Sequence, residues 1–229
     1  MTLAAEVEAT LQRHSLLQAF QSLLYVLVVA LFIMTFTAQP FRIPSASMEP
    51  TLLVGDFLLV DKQLANFPAL APAGRIRRGD LIVFHYPVDP NKSLVKRVVG
   101  LPGERIRLRD GRVSIDGRAL SESYAVYLPS APDSYRDDFP RVDRADPAVD
   151  SRWWIQMHTL VANGELSIPP GNYFVLGDNR NDSEDSRYWG LVPREAIEGK
   201  PFLIYLSLSE PGGSLFNFAR WERTLRIVR

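Results

Sequence analysis

The sequence predicts a mainly β protein: a single N-terminal transmembrane helix followed by an antiparallel β-sheet domain with an irregular inserted subdomain. Three observations predict it. An uncharged apolar run lies near the N-terminus. After Pro40, short β-branched and aromatic runs alternate with turn signals. Between two groups of these runs lies a stretch rich in proline and charge.

The apolar run comes first. Residues Leu16 to Ala38 read LLQAFQSLLYVLVVALFIMTFTA, without a charge. At about 1.5 Å per residue, a helix of this length crosses a hydrocarbon core of roughly 30 Å. A cleaved signal peptide would end best at Ala38. Phe36, however, stands where such a site wants a small residue. A buried helix of a soluble protein would usually be shorter and show a polar stripe. An uncleaved anchor over 16–38 is therefore expected, after an N-terminal tail over 1–15. Arg13 precedes the span, diluted by Glu6 and Glu8, and Arg42 follows it. The positive-inside rule leans slightly to a cytoplasmic N-terminus.

The remaining domain, 39–229, is expected to hold strands at Phe57–Asp61, Leu81–Tyr86, Ser93–Val99, Arg105–Leu108, Arg112–Ile115, Tyr173–Leu176 and Phe202–Ser207. Each is rich in residues that suit a pleated surface and is bounded by Gly-Asp, Pro-Gly or Asp-Gly turns. The stretch Leu120–Arg152 holds Pro129, Pro132, Pro140 and Pro147 and reads as a long excursion. An inserted subdomain is expected over roughly 104–170. The tail Phe216–Arg229 mixes aromatics with four arginines, as a strand or helix packed on the sheet or as an interfacial segment.

Composition narrows the chemistry. Lys plus Arg and Asp plus Glu are both 26, so the net charge is zero. No overall field draws this chain of 229 residues onto nucleic acid. Cysteine is absent, which excludes thiol catalysis, Cys-ligated metal and disulfides. Only His14, His85 and His158 are available for a multi-histidine metal site, so neither a metal nor another cofactor is expected. The mean hydropathy of −0.05 averages the apolar run with a more polar remainder.

Three segments carry chemistry. The first is Pro44-Ser45-Ala46-Ser47-Met48-Glu49-Pro50-Thr51-Leu52, just past the span. Read alone it is also a turn leaving the membrane. Its serines need an activating base to become nucleophiles. The second is Ser93-Leu94-Val95-Lys96-Arg97-Val98-Val99-Gly100-Leu101-Pro102-Gly103-Glu104. In a strand, Lys96 and Arg97 fall on opposite faces, each between apolar neighbours. A buried face depresses a lysine pKa, whereas arginine stays charged, so Lys96 is the candidate general base. Read alone, both heads also reach solvent from a strand edge. The third runs from Gly177-Asp178-Asn179-Arg180 through Asp182-Ser183-Glu184-Asp185-Ser186-Arg187 to Tyr188-Trp189-Gly190. Its alternating oxygens suggest a calcium loop, but no glycine or distal glutamate completes an EF-hand. A solvated loop with internal Asp–Arg pairs is the other reading.

Together, these three segments, in this order, resemble the bacterial type I signal peptidases, from the anchor to about Tyr205. The resemblance implies a membrane-bound serine endopeptidase with a Ser–Lys dyad. It would sit in the bacterial cytoplasmic (inner) membrane with its catalytic domain outside. It would remove signal peptides from exported preproteins after small residues. Its partners would be those preproteins and the phospholipid membrane, with no nucleic acid and no metal. By the same resemblance Ser47 is the nucleophile and Lys96 the general base. Ser45 and the Ser47 backbone N–H form the oxyanion hole. Ser183 orients the lysine, Asp185 and Arg187 form a supporting ion pair, and Asp178 holds the loop. The substrate pockets would lie near Phe41, Ile43, Met48, Leu52, Val83 and Val95. Asp182 departs from the asparagine carried by many relatives and would change the lysine's surroundings if it pointed inward.

Three other readings stay in play. His85 or His158 would serve as base in a histidine triad. A self-cleaving repressor shares Ser–Lys chemistry but begins with a DNA-binding domain, where this chain has an apolar run. A tethered binding module would keep the scaffold without activity.

Overall fold

The computed structural model describes residues 17–32, 38–62, 76–131, 133–143, 145–209 and 219–228. Helix α1 covers residues 17–32 and exposes its large apolar side chains, among them Leu23, Val26 and Phe32. Among the described residues, no helix is long and apolar enough to cross a membrane. The whole of the expected tail over 1–15, and residues 16 and 33–37 of the expected span, lie outside the described residues. Ala38, expected as the last residue of the span, instead opens strand β1 (Ala38–Arg42).

The main sheet has eight strands and only antiparallel pairings. It begins with β1, β2 (Asp56–Asp61), β3 (Leu81–His85) and β4 (Ser93–Gly100). The chain then leaves to build a second sheet from β5 (Arg105–Arg109), β6 (Arg112–Ile115) and β7 (Arg118–Ala119). Helices α2 (Ser134–Asp137) and α3 (Ser151–Leu160) follow, and β8 (Val161–Ala162) and β9 (Glu165–Ser167) complete that sheet. The return adds β10 (Asn172–Leu176), α4 (Ser186–Trp189), β11 (Val192–Pro193), the long β12 (Ile197–Ser207) and β13 (Arg226–Ile227) to the main sheet. Its order is β1-β2-β12-β3-β4-β10-β11, with β13 also on β12; the second sheet runs β7-β6-β5-β9-β8.

Alternation explains the layering. On β3, Leu81 and Val83 enter one apolar cluster, while Ile82 and Phe84 enter another. A strand buried on both faces must read as a continuous apolar run, and Leu-Ile-Val-Phe is one. A third cluster lies under the second sheet, where Trp153 and Met157 of α3 pack with Ile106, Leu108 and Phe139. The excursion expected over 120–152 therefore holds organised pieces. Asp133 caps α2 through the N–H groups of Tyr135 and Arg136. Asp150 caps α3 through those of Arg152 and Trp153.

The described part of the C-terminal tail lies on the sheet. β13 pairs with Leu203 and Ile204, and Val228 packs on the cluster containing Val83. Arg223 reaches the fully buried Asp56 at 2.6 Å. Burial alone would raise the Asp56 pKa, but Arg223, Ser207 and the Leu53 N–H hold it below the usual value.

Candidate active site

Ser47 sits in a 3-10 turn, Ala46–Met48, between β1 and β2. The turn is held by its apolar neighbours, since Met48 and Leu52 are completely buried. It is also held from across the molecule. The Asn179 N–H donates to the Ser47 carbonyl at 3.1 Å, and the Asn179 amide donates to the Ala46 carbonyl at 3.4 Å. Gly177 permits this approach. A Cβ there would lie 2.3 Å from Ser183 Oγ and 2.5 Å from the Ser47 carbonyl oxygen, so no side chain fits.

Lys96 comes from the middle of β4, opposite Ile82 of β3. Its Nζ lies 2.6 Å from Ser47 Oγ. As an ammonium it donates to that oxygen; as a free amine it accepts the hydroxyl proton. Ser45 Oγ is 3.4 Å from Ser47 Oγ. Burial pushes the Lys96 pKa down to about 8. Asp185, Glu184 and Asp178 oppose the shift and Arg187 assists it. Asp182 is exposed at the wall of the same cleft and is not among these groups.

Arg97, the next residue, turns to the other face. Its Nε and Nη2 grip the two oxygens of Asp178 at 2.7 and 2.6 Å. Thr51 Oγ1 donates to the same carboxylate at 2.5 Å, and the guanidinium lies 4.1 Å over the Tyr124 ring. Asp178 thus ties the third segment to both the first and the second. Asp185 and Arg187 form a second fully buried pair at 2.8 Å. Burial alone would raise the Asp185 pKa, but Arg187 holds it below the usual carboxylate value.

Two expectations need correction. Ser183 lies in the cleft wall, yet its buried Oγ has no hydrogen-bond partner among the described residues. The expected bond from Ser183 to Lys96 is therefore not made, and Nζ is directed at Ser47. The expected pocket residues Phe41, Ile43, Met48, Leu52, Val83 and Val95 do gather in one apolar cluster. All but Phe41 are fully buried in it, and none lines the cleft that opens on Ser47 and Lys96. Strand alternation is the reason, because Val95 leaves β4 on the face opposite Lys96. The cleft, of about 540 Å³, is walled instead by residues including Ser45, Tyr86, Leu94, Tyr188 and Trp189. A larger groove of about 790 Å³, beside Pro50–Leu52 and the C-terminal segment, contains neither member of the reactive pair.

Histidine is not placed to serve Ser47. His85 is half exposed and lies 3.6 Å from Glu198, and His158 is exposed on α3; neither lines the cleft. One part of the framework escaped the sequence reading. Glu122 pairs with Arg180 at 2.5 Å, with both side chains almost completely buried. Nearby, the Val126 N–H donates to the Asp178 carbonyl at 2.8 Å and the Arg180 N–H donates to the Val126 carbonyl at 2.9 Å. The only signal was the acidic Glu122 ahead of two tyrosines, inside a stretch read as irregular.

Comparison with known proteins accounts for this constellation. Residues 16–206 match the family described as "Signal peptidase, peptidase S26". The chain belongs to this signal peptidase family. A signal peptidase I of Pseudomonas fluorescens is 37% identical over 238 residues, covering 95% of this chain and 82% of the relative. A signal peptidase I of Aquifex aeolicus is 34% identical, covering 82% of this chain and 84% of the relative. A solved signal peptidase I from Enterococcus faecalis is 36% identical, covers 55% of this chain and 96% of its own, and superposes with a TM-score of 0.40. The activity that goes with this membership is that of a serine endopeptidase of the signal peptidase I type.

Proposed function

We propose that the chain is a single-pass enzyme of the bacterial inner membrane that cuts exported preproteins after small residues, with Ser47 as nucleophile and Lys96 as general base. The observation that carries this reading is the 2.6 Å contact between Lys96 Nζ and Ser47 Oγ, with the amine buried and its pKa lowered to about 8. The exposed apolar surface of α1 supports insertion of a longer span that starts at 16 and ends ahead of β1, which Ala38 opens. The tail 1–15 is then cytoplasmic and the domain from β1 onward lies outside, with 104–170 as its inserted subdomain.

The chemistry follows from the geometry. Neutral Lys96 takes the Ser47 proton as Oγ attacks the scissile carbonyl carbon. The Ser45 hydroxyl and the Ser47 N–H receive the developing oxyanion. As the C–N bond breaks, the Lys96 ammonium protonates the leaving amine. A water then attacks the ester, its proton passing through Lys96 back to Ser47. Asp178 and the Asp185–Arg187 pair keep the loop against the nucleophile turn, and Ser183 stands ready at the cleft wall. The apolar cluster of Phe41, Ile43, Met48, Leu52, Val83 and Val95 backs that turn. It would shape the small-residue preference from behind the turn.

Cleavage of a preprotein by detergent-solubilised enzyme tests the assignment. Ser47→Ala and Lys96→Ala should each lower the rate on the order of 10⁴-fold or more. His85→Ala should leave it near normal. Equal product from wild type and Ser47→Ala would remove the peptidase reading. Loss of activity in His85→Ala but not in Lys96→Ala would replace the dyad with a triad.

A further inference from the structure

The cleft around Ser47 extends beyond the reactive pair. A neighbouring lobe of about 250 Å³ shares Tyr86, Ala148, Glu184, Tyr188 and Trp189 with it. The continuous trough is acidic. Asp133, Asp146, Asp182 and Glu184 line the cleft, and Asp150 lines the lobe. Asp133 and Asp150 are engaged as helix caps, and Asp146 accepts from the Ala148 N–H. Asp182 and Glu184 are exposed and form no ion pair among the described residues. The cations that line the cleft are Lys96 and Lys92, and Lys92 is 3.1 Å from Asp89. The resulting negative field reaches the wall: burial raises the Tyr86 pKa, and Glu184, Asp150 and Asp89 raise it further.

Ser183 and Trp189 of this wall keep their polar atoms, Oγ and the indole N–H, beneath its surface, where neither finds a partner among the described residues. Tyr86 and Tyr188 add aromatic rings of the kind that attract an ammonium or guanidinium group.

We infer that this trough receives the segment of the preprotein following the scissile bond, and that Asp182 and Glu184 select a cationic side chain there. The inference rests on cleavage at Ser47 as proposed above. The side of the cut follows from chemistry. A signal peptide approaches its cut through an apolar run, which a trough of carboxylates hosts poorly. The polar part of a preprotein lies after the cut. The same carboxylates repel an acidic residue at that place, so selection works through both attraction and repulsion.

The experiment uses three peptides with the same residues before the cut, differing only in Lys, Gln or Glu at the third residue after it. The value of kcat/KM should fall in the order Lys, Gln, Glu. The Lys-to-Glu ratio should be about tenfold at low salt and shrink as salt screens the trough. In the double variant Asp182→Asn, Glu184→Gln the ratio should approach one. All three peptides share one catalytic base, so any change in Lys96 acidity cancels in the ratio. If the double variant does not fold, the single variants report the same ratio. Peptides cleaved equally well by wild type, or a ratio surviving the substitutions, would overturn the inference while leaving the peptidase intact. Cleavage equal in wild type and Ser47→Ala would overturn both.

Discussion

Lys96 and Arg97 are neighbours on β4, and each is 4% exposed, yet the two faces of the strand treat them in opposite ways. On one face, Arg97 meets a carboxylate in bidentate geometry, a hydroxyl and an aromatic ring. On the other, Lys96 has no ion-pair partner among the described residues, and its hydrogen bond is with a neutral serine hydroxyl at 2.6 Å. Arginine holds its charge in any protein environment, so burying it requires a partner. Lysine sheds its proton when the cost of a buried charge is high enough. One strand position thus holds a permanent ion pair for structure, and the next holds a base. Exchanging the two residue types would ruin both faces.

The largest effect should come from breaking the paired face. Asp178→Asn leaves Arg97 buried without its counter-charge, and such losses cost about 3–5 kcal/mol. Urea or thermal unfolding in detergent should show that loss, together with weakened cleavage, because Thr51 is released from the same carboxylate. A loss below about 1 kcal/mol would place this pair with ordinary surface ion pairs.

Removing the cation from the unpaired face should do the reverse. Lys96→Met keeps much of the volume and deletes the group whose charged form burial disfavours. The folded-state pKa of about 8 lies below that of free lysine. Between the two values the unfolded chain binds more protons, so wild-type stability rises as pH increases through that window. Below about pH 8 the folded protein carries the full cost of a buried ammonium. Lys96→Met should therefore be more stable than wild type by about 2 kcal/mol at pH 6. Its advantage should shrink toward pH 10, while activity is lost at every pH. A variant less stable than wild type at pH 6 would mean that Lys96 is stabilised by its neighbours after all.

The contrast between the faces also marks what was legible in the sequence. That Lys96 and Arg97 diverge follows from strand alternation alone, and continuous apolar runs such as Leu81–Phe84 announce buried strands. The N-terminal half of β12 was not legible, because Gly199 and Pro201 read as loop punctuation. Gly199 is there because a Cβ would lie 2.1 Å from the Asp61 carbonyl oxygen, a constraint set by the neighbouring strand. Helix α3 was not read at all, since its start lay inside the excursion drawn through Arg152, although Asp150 is a capping residue. β1 was hidden by the edge of the apolar run. Within the site, the residue types were visible, and the Asp185–Arg187 pairing followed from the family resemblance. The missing partner of Ser183 and the closed packing around Val83 and Val95 depend on side-chain placement, which spacing does not encode.

The finest comparison concerns the charges that set the base itself. Acylation needs the neutral amine, so the rate should climb about tenfold per pH unit below the Lys96 pKa and level off above it. The midpoint should fall near 8, far below free lysine. Glu184 pulls the value up, because a nearby carboxylate favours the ammonium, whereas Arg187 pulls it down. Glu184→Gln should therefore move the midpoint of kcat/KM to lower pH and raise the rate on its acidic limb. The plateau should change little, since the fully neutral amine is the same base in both enzymes. The pH–rate profile of wild type beside Glu184→Gln, measured with an uncharged peptide, makes the comparison. A midpoint that stays put would show that water screens Glu184 from the amine. One that moves to higher pH would show that the carboxylate acts on Lys96 through the fold, with no direct field between them.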